Sequence, residues 1–106
     1  MIKELNELVT CANGFSMSVQ ANSRAYCYPR EKVGPYEKVE VGFPNKVEPL
    51  LLKYAENPDE PTRTVYGYVP KSVVTAVIAK HGGMISGDLP EGVPYLYAPG
   101  AKKNSI

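Results

Sequence analysis

From Phe15 the chain alternates, with Phe15, Met17, Val19 and Ala21 on one side and Ser16, Ser18, Gln20 and Asn22 on the other. A period of two predicts a strand with one buried and one wet face. If the pleat runs on through Asn22-Ser23, Ala25 and Cys27 point inward and Arg24, Tyr26 and Tyr28 outward; a bulge there would exchange the faces. After the loop PREKVGP, the run YEKVEVGF alternates again, with Val39, Val41 and Phe43 inward and Tyr36, Lys38 and Glu40 outward. The two runs read as a hairpin that carries Tyr26, Tyr28 and Tyr36 on its outer face.

Helical spacing flanks these strands. Ile2, Leu5, Leu8, Val9 and Ala12 form a stripe, and Asn13-Gly14 suits a left-handed C-cap, so a first helix is expected over about residues 2 to 12. Leu50, Leu51, Leu52, Tyr54 and Ala55 form a short apolar run that reads as a third strand, followed by the exposed acidic loop ENPDEPT. VYGYVP is an extended piece ending at Val69, because a residue before proline disfavours helix. Pro70 opens a second helix with Val73, Val74, Val77, Ile78 and His81 on one side, Lys80 near its negative end and Gly82-Gly83 stopping it. The fold class expected is α+β in two layers, order α-β-β-β-α: a three- or four-stranded antiparallel sheet with two helices on one face. Residues 1–83 are expected to form the compact domain. Residues 84–106, with three glycines and three prolines, are expected as an extended tail.

Length and composition sharpen this picture. A chain of 106 residues with 43% hydrophobic and 22% charged residues falls in the range of one globular domain. Twelve Lys plus Arg against eleven Asp plus Glu leave a net charge of +1, too little for a dedicated nucleic-acid binder. No run approaches the roughly 18 apolar residues of a membrane span, and MIKELNELVT has no secretory character. Cys11 and Cys27 lack zinc spacing and read as reduced, buried thiols of a cytosolic protein.

Candidate chemistry is sparse. His81, the one histidine, stands at the edge of an apolar stripe, where packing or capping accounts for it. Cys27 has no adjacent base. Glu56, Asp59 and Glu60 crowd one loop but match no EF-hand spacing. Lys71 at a helix start could meet an anion, as many helix starts can. No GxxxxGK[ST], GxGxxG, HExxH or GxSxG occurs. No catalytic residue, metal or cofactor is therefore assigned. The feature that carries a functional expectation is the tyrosine face. Tyr26, Tyr28 and Tyr36 beside Arg24, Arg30 and Lys38, with Lys32 close by, suit a protein interface, and the YLY segment near the C-terminus could add to it.

The phrases GFSMSVQA, PYEKVEVGFP, EPLLLKYAE and VYGYVP resemble a group of short proteins of enterobacterial phages and prophages that have no assigned activity. The resemblance spans about residues 14 to 83 and carries no catalytic motif. It implies a small accessory protein in the cytoplasm of a host bacterium, acting by binding a host protein, defence machinery included. Two alternatives accompany this expectation. One is a weak single-stranded nucleic-acid binder using the aromatic face; the other is a homodimer that pairs its tyrosines across a two-fold axis.

Overall fold

The computed structural model describes residues 5–101, and it is α+β with an antiparallel sheet. In chain order the strands are β1 (Val9–Cys11), β2 (Ser16–Gln20), β3 (Lys38–Gly42) and β4 (Val65–Pro70), then helix α1 (Lys71–Lys80) and strand β5 (Met84–Ser86). A short 3-10 turn, Leu52–Tyr54, precedes β4. The sheet order is β4-β3-β2-β1-β5, so among the described residues five strands and one helix stand where three or four strands and two helices were expected.

The first correction concerns the expected helix over residues 2 to 12, of which residues 2–4 lie outside the described part. Val9–Cys11 is a strand, and Asn13-Gly14 is a hairpin turn. Cys11 N–H donates to Phe15 O at 2.8 Å, Gly14 N–H to Cys11 O at 2.9 Å, and Gly14 takes the left-handed φ of +93° that such a loop requires. Asn-Gly serves a C-cap and a hairpin equally well, which is why the local signal misled. Among the described residues of the supposed helical stripe, Leu5, Leu8 and Ala12 are exposed and only Val9 is buried.

β2 and β3 pair directly, Val19 opposite Val41, and they alternate as expected, with Met17, Val19, Val39 and Val41 buried. Beyond Gln20 the chain leaves the sheet. The Asn22 side chain accepts from the N–H groups of Arg24 and Ala25 and turns the backbone. The inward and outward assignment survives nonetheless: Ala25 and Cys27 are buried, and Arg24, Tyr26 and Tyr28 are exposed. Two assignments on the β3 side need correction, one outward and one inward. Tyr36, expected outside, is only 3% exposed and donates its hydroxyl to Glu31 O at 2.7 Å; Phe43, expected inside, is exposed just past the strand end at φ +49°. Leu50–Ala55 is a turn with one isolated bridge, Ala55 to Tyr66, in place of a third strand.

α1 matches expectation and lays Val74, Val77 and Ile78 against the sheet. Its end is closed by Gly83 N–H donating to Ile78 O at 2.9 Å, with Gly82 and Gly83 both at positive φ. Residues 84–101 are not a tail. β5 pairs with β1, Met84 N–H donates to Leu96 O, Ala98 N–H returns to Met84 O, and Leu89, Val93 and Ala98 are buried. Residues 102–106 lie outside the described part.

Gly83 is where these two features meet, since a Cβ there would stand 2.6 Å from Ala98 N. Gly83→Ala therefore strains a left-handed backbone and pushes residues 96–98 off β5. It should lower stability by at least about 1 kcal/mol, read as a shift of the urea midpoint. An unchanged midpoint would mean that the C-terminal segment is not held against β5.

Candidate functional site

Two places gather side chains of chemical interest. The first is a buried carboxylate. Glu48, in the connection after β3, is 1% exposed and accepts three hydrogen bonds. Lys80 Nζ donates to Oε2 at 2.8 Å, Leu50 N–H to Oε2 at 2.9 Å, and the His81 Nε2–H to Oε1 at 2.6 Å. Burial alone would raise its pKa, but the hydrogen bonds from Lys80, Leu50 and His81 and the charge of Lys80 outweigh that and hold it below the usual carboxylate range. His81 is fixed from its other side too. Its ring stacks on Phe15 at 4.0 Å between centroids, 9° from parallel. Asn13 Oδ1 accepts from Phe15 N–H, so the Asn13 amide NH2 is the group that meets His81 Nδ1 at 2.9 Å.

Both ring nitrogens of His81 are thus occupied by protein, and the ring has none left for a substrate. The arrangement is a structural lock between the β1–β2 turn, the 48–50 loop and the end of α1. It agrees with the packing and capping expected of His81, while Glu48 had no signal in the sequence beyond being one more charged residue between Val47 and Pro49. The other candidates disperse. Cys27 Sγ is buried and donates to Asn22 O at 3.1 Å; burial pushes the Cys11 thiol up. Glu56, Asp59 and Glu60 stay exposed, and among the described residues no group of three or more His, Cys, Asp or Glu is placed to hold a metal. Lys71 lies 3.6 Å from Glu37, and its backbone N–H is taken by Glu37 O.

The second place is the tyrosine surface. In β4, Gly67 and Tyr68 together oppose Glu40 of β3, because the pairing passes from Val41–Tyr66 to Val39–Val69. This two-against-one count is a β-bulge. It has a direct effect on direction. Tyr66 is buried, so a regular pleat would send Tyr68 inward and Val69 outward; the bulge turns Tyr68 out and returns Val69 to the core. Tyr68 takes φ +54°, and its N–H donates to Tyr26 O at 2.9 Å. Tyr26 N–H in turn donates to Glu40 Oε1. The loop after β2 is thereby tied to the bulge, and the Tyr26 and Tyr68 rings come within 6.0 Å.

Arg30 stands over the Tyr26 ring at 5.6 Å and donates to Arg24 O, while Tyr28 pairs with Lys38 across a bridge. Tyr26, Tyr28 and Tyr68 are 38%, 62% and 46% exposed. Of the expected interface residues, Arg24, Tyr26, Tyr28, Arg30 and Lys38 share this surface and Tyr36 does not. Burial pushes the Tyr36 phenol up, aided by Cys27, Glu91 and Glu31, as befits a core residue. Tyr68 was missed, although Gly67 inside an apolar strand was the sign of a bulge. The YLY segment folds on itself, with Tyr95 and Tyr97 stacked at 5.8 Å and Tyr95 Oη bonded to the Leu89 backbone.

Fold and site together define a small antiparallel α+β domain with an exposed aromatic surface. No family model, curated protein or solved structure matches the chain. Among the described residues no helix is long and apolar enough to cross a membrane.

The buried carboxylate has a testable consequence. A folded-state pKa held below the unfolded value gives stability that is present above the unfolded value, about 4.3, and is lost as pH falls through the folded one. Glu48→Gln should therefore be less stable than wild type at neutral pH, by about 1–3 kcal/mol, with the gap narrowing below about pH 4. Urea melts of both proteins across acid pH measure it, and a pH-independent gap would show that the carboxylate charge is not what the lock uses.

Proposed function

We propose that the chain is a non-enzymatic accessory protein that works by docking another protein on the surface formed by Tyr26, Tyr28, Tyr68, Arg24, Arg30 and Lys38. The single observation behind this reading is that the β4 bulge holds an exposed tyrosine in a left-handed backbone beside a second one. Such a conformation costs about 1–2 kcal/mol for a residue with a Cβ. Tyrosine is also a favoured anchor of protein interfaces, being rigid and amphipathic. The resemblance to phage and prophage proteins supplies the setting: a host bacterium, with a host protein as the partner and host defence as one class of target. His81, with both nitrogens engaged, offers no competing catalytic reading.

The test is a paired variant that spares the fold. Asn tolerates left-handed backbone, so Tyr68→Asn combined with Tyr28→Ala removes two rings without straining the bulge. Folding should be unchanged by circular dichroism, and stoichiometric capture of a partner from host lysate should fall at least tenfold, or about 1.4 kcal/mol. A folded variant that captures the same partner undiminished would take this surface out of the reading.

A further inference from the structure

We infer that the tyrosine surface receives an acidic protein segment, one that carries carboxylates beside aromatic or aliphatic side chains. This rests on the docking reading above and adds the chemistry of the partner. Arg24, Arg30 and Lys38 are exposed, and among the described residues the ion pairs join Lys71 to Glu37 and Lys80 and His81 to Glu48, so none of the three has a carboxylate of its own. Arg30 uses one nitrogen on Arg24 O, which leaves further N–H groups of its fork free. The hydroxyls of Tyr26, Tyr28 and Tyr68 also bond to no protein atom among the described residues. Of the nearby carboxylates, Glu40 accepts from Tyr26 N–H and Glu37 faces Lys71, while Glu31 and part of Glu37 are open to solvent next to the exposed Lys32. The surface therefore presents a surplus of donors and positive charge around apolar rings. An acceptor-rich, acidic chain with apolar side chains complements it on both counts.

A polyanionic nucleic acid fits less well. The chain as a whole carries a net charge of +1, too weak a field for a continuous phosphate backbone. One face of Tyr26 is covered by Arg30, and the Tyr26 and Tyr68 rings are inclined by 34°, which does not form a platform for successive bases.

Selection of a random-peptide display library on the immobilised full chain tests this, with an oligo-dT strand titrated in parallel and solution mass measured by light scattering. The expected result is enrichment of peptides with Asp or Glu next to aromatic or aliphatic residues. Their affinity should fall about tenfold or more in the folded Arg24→Glu, Lys38→Glu variant and weaken with salt. Enriched peptides that are neutral or basic, that need Tyr28 and Tyr68 but ignore Arg24 and Lys38, would overturn the acidic partner and leave the docking surface standing. Acidic peptides that bind the Tyr28→Ala, Tyr68→Asn variant undiminished would overturn both. So would tighter binding of oligo-dT than of any selected peptide, or a dimer that masks the surface and enriches none.

Discussion

The carboxylate of Glu48 is the constraint on which the arrangement of the chain turns. An ionised group at 1% exposure carries a desolvation penalty of several kcal/mol unless it is fully partnered. Its donors come from its own loop, through Leu50 N–H, and from the end of α1, through Lys80 and His81. Asn13 and Phe15 then hold His81 from the β1–β2 side. Because the donors belong to different segments, only one mutual placement of turn, loop and helix end satisfies the carboxylate. That placement fixes where α1 stops, and the two glycines after it send the chain back along β1 as β5.

Irregular pairing occurs at both edges of this sheet. β1 and β5 slip by one residue between Thr10 and Cys11, and at the opposite edge, where β4 lies, the pairing with β3 slips by one residue as well. The slip is not left as a defect in hydrogen bonding. Tyr68 N–H finds Tyr26 O, so a neighbouring loop takes up the donor freed by the bulge, and that loop is itself held through Tyr26 N–H to the Glu40 carboxylate. The same bonds that repair the backbone bring two aromatic rings together in solvent. Local backbone chemistry and the surface are thus one feature.

How much of this could be read from the sequence depended on whether the signal was periodic. β2, β3 and α1 bury one face over several residues, and the alternation of Met17, Val19, Val39 and Val41 and the 3.6-residue spacing of Val74, Val77 and Ile78 announce them. The alternation of Ala25, Tyr26, Cys27 and Tyr28 held even where no strand forms, because it reports burial and not pairing. Three-residue strands such as β1 and β5 are too short to show a period. Their existence rests on long-range partners: Thr10 opposite Ser86 and Cys11 opposite Met84. Glycine- and proline-rich composition made 84–101 look loose, but Leu89, Val93 and Ala98 are spaced so that each fills a gap in the core between turns. Tyr36 faced the wrong way in the reading because the pleat does not extend back before Lys38.

The irregular pieces also explain why the site was only half visible. Tyr26 and Tyr28 could be placed outward from pattern, whereas Tyr68 depends on a bulge that exchanges faces, and pattern assigns it to the core. Its conformation then makes a physical point. Glycine or asparagine would satisfy a left-handed bulge at lower cost than tyrosine, and with 46% of Tyr68 open to water the ring gains only part of the burial that could offset that strain. Folding alone therefore favours a smaller residue at this position. A large, rigid ring at this position carries a backbone cost that its partial burial does not cover, and it is on this imbalance, and not on the lock around Glu48, that the docking proposed for the surface around Tyr68 rests.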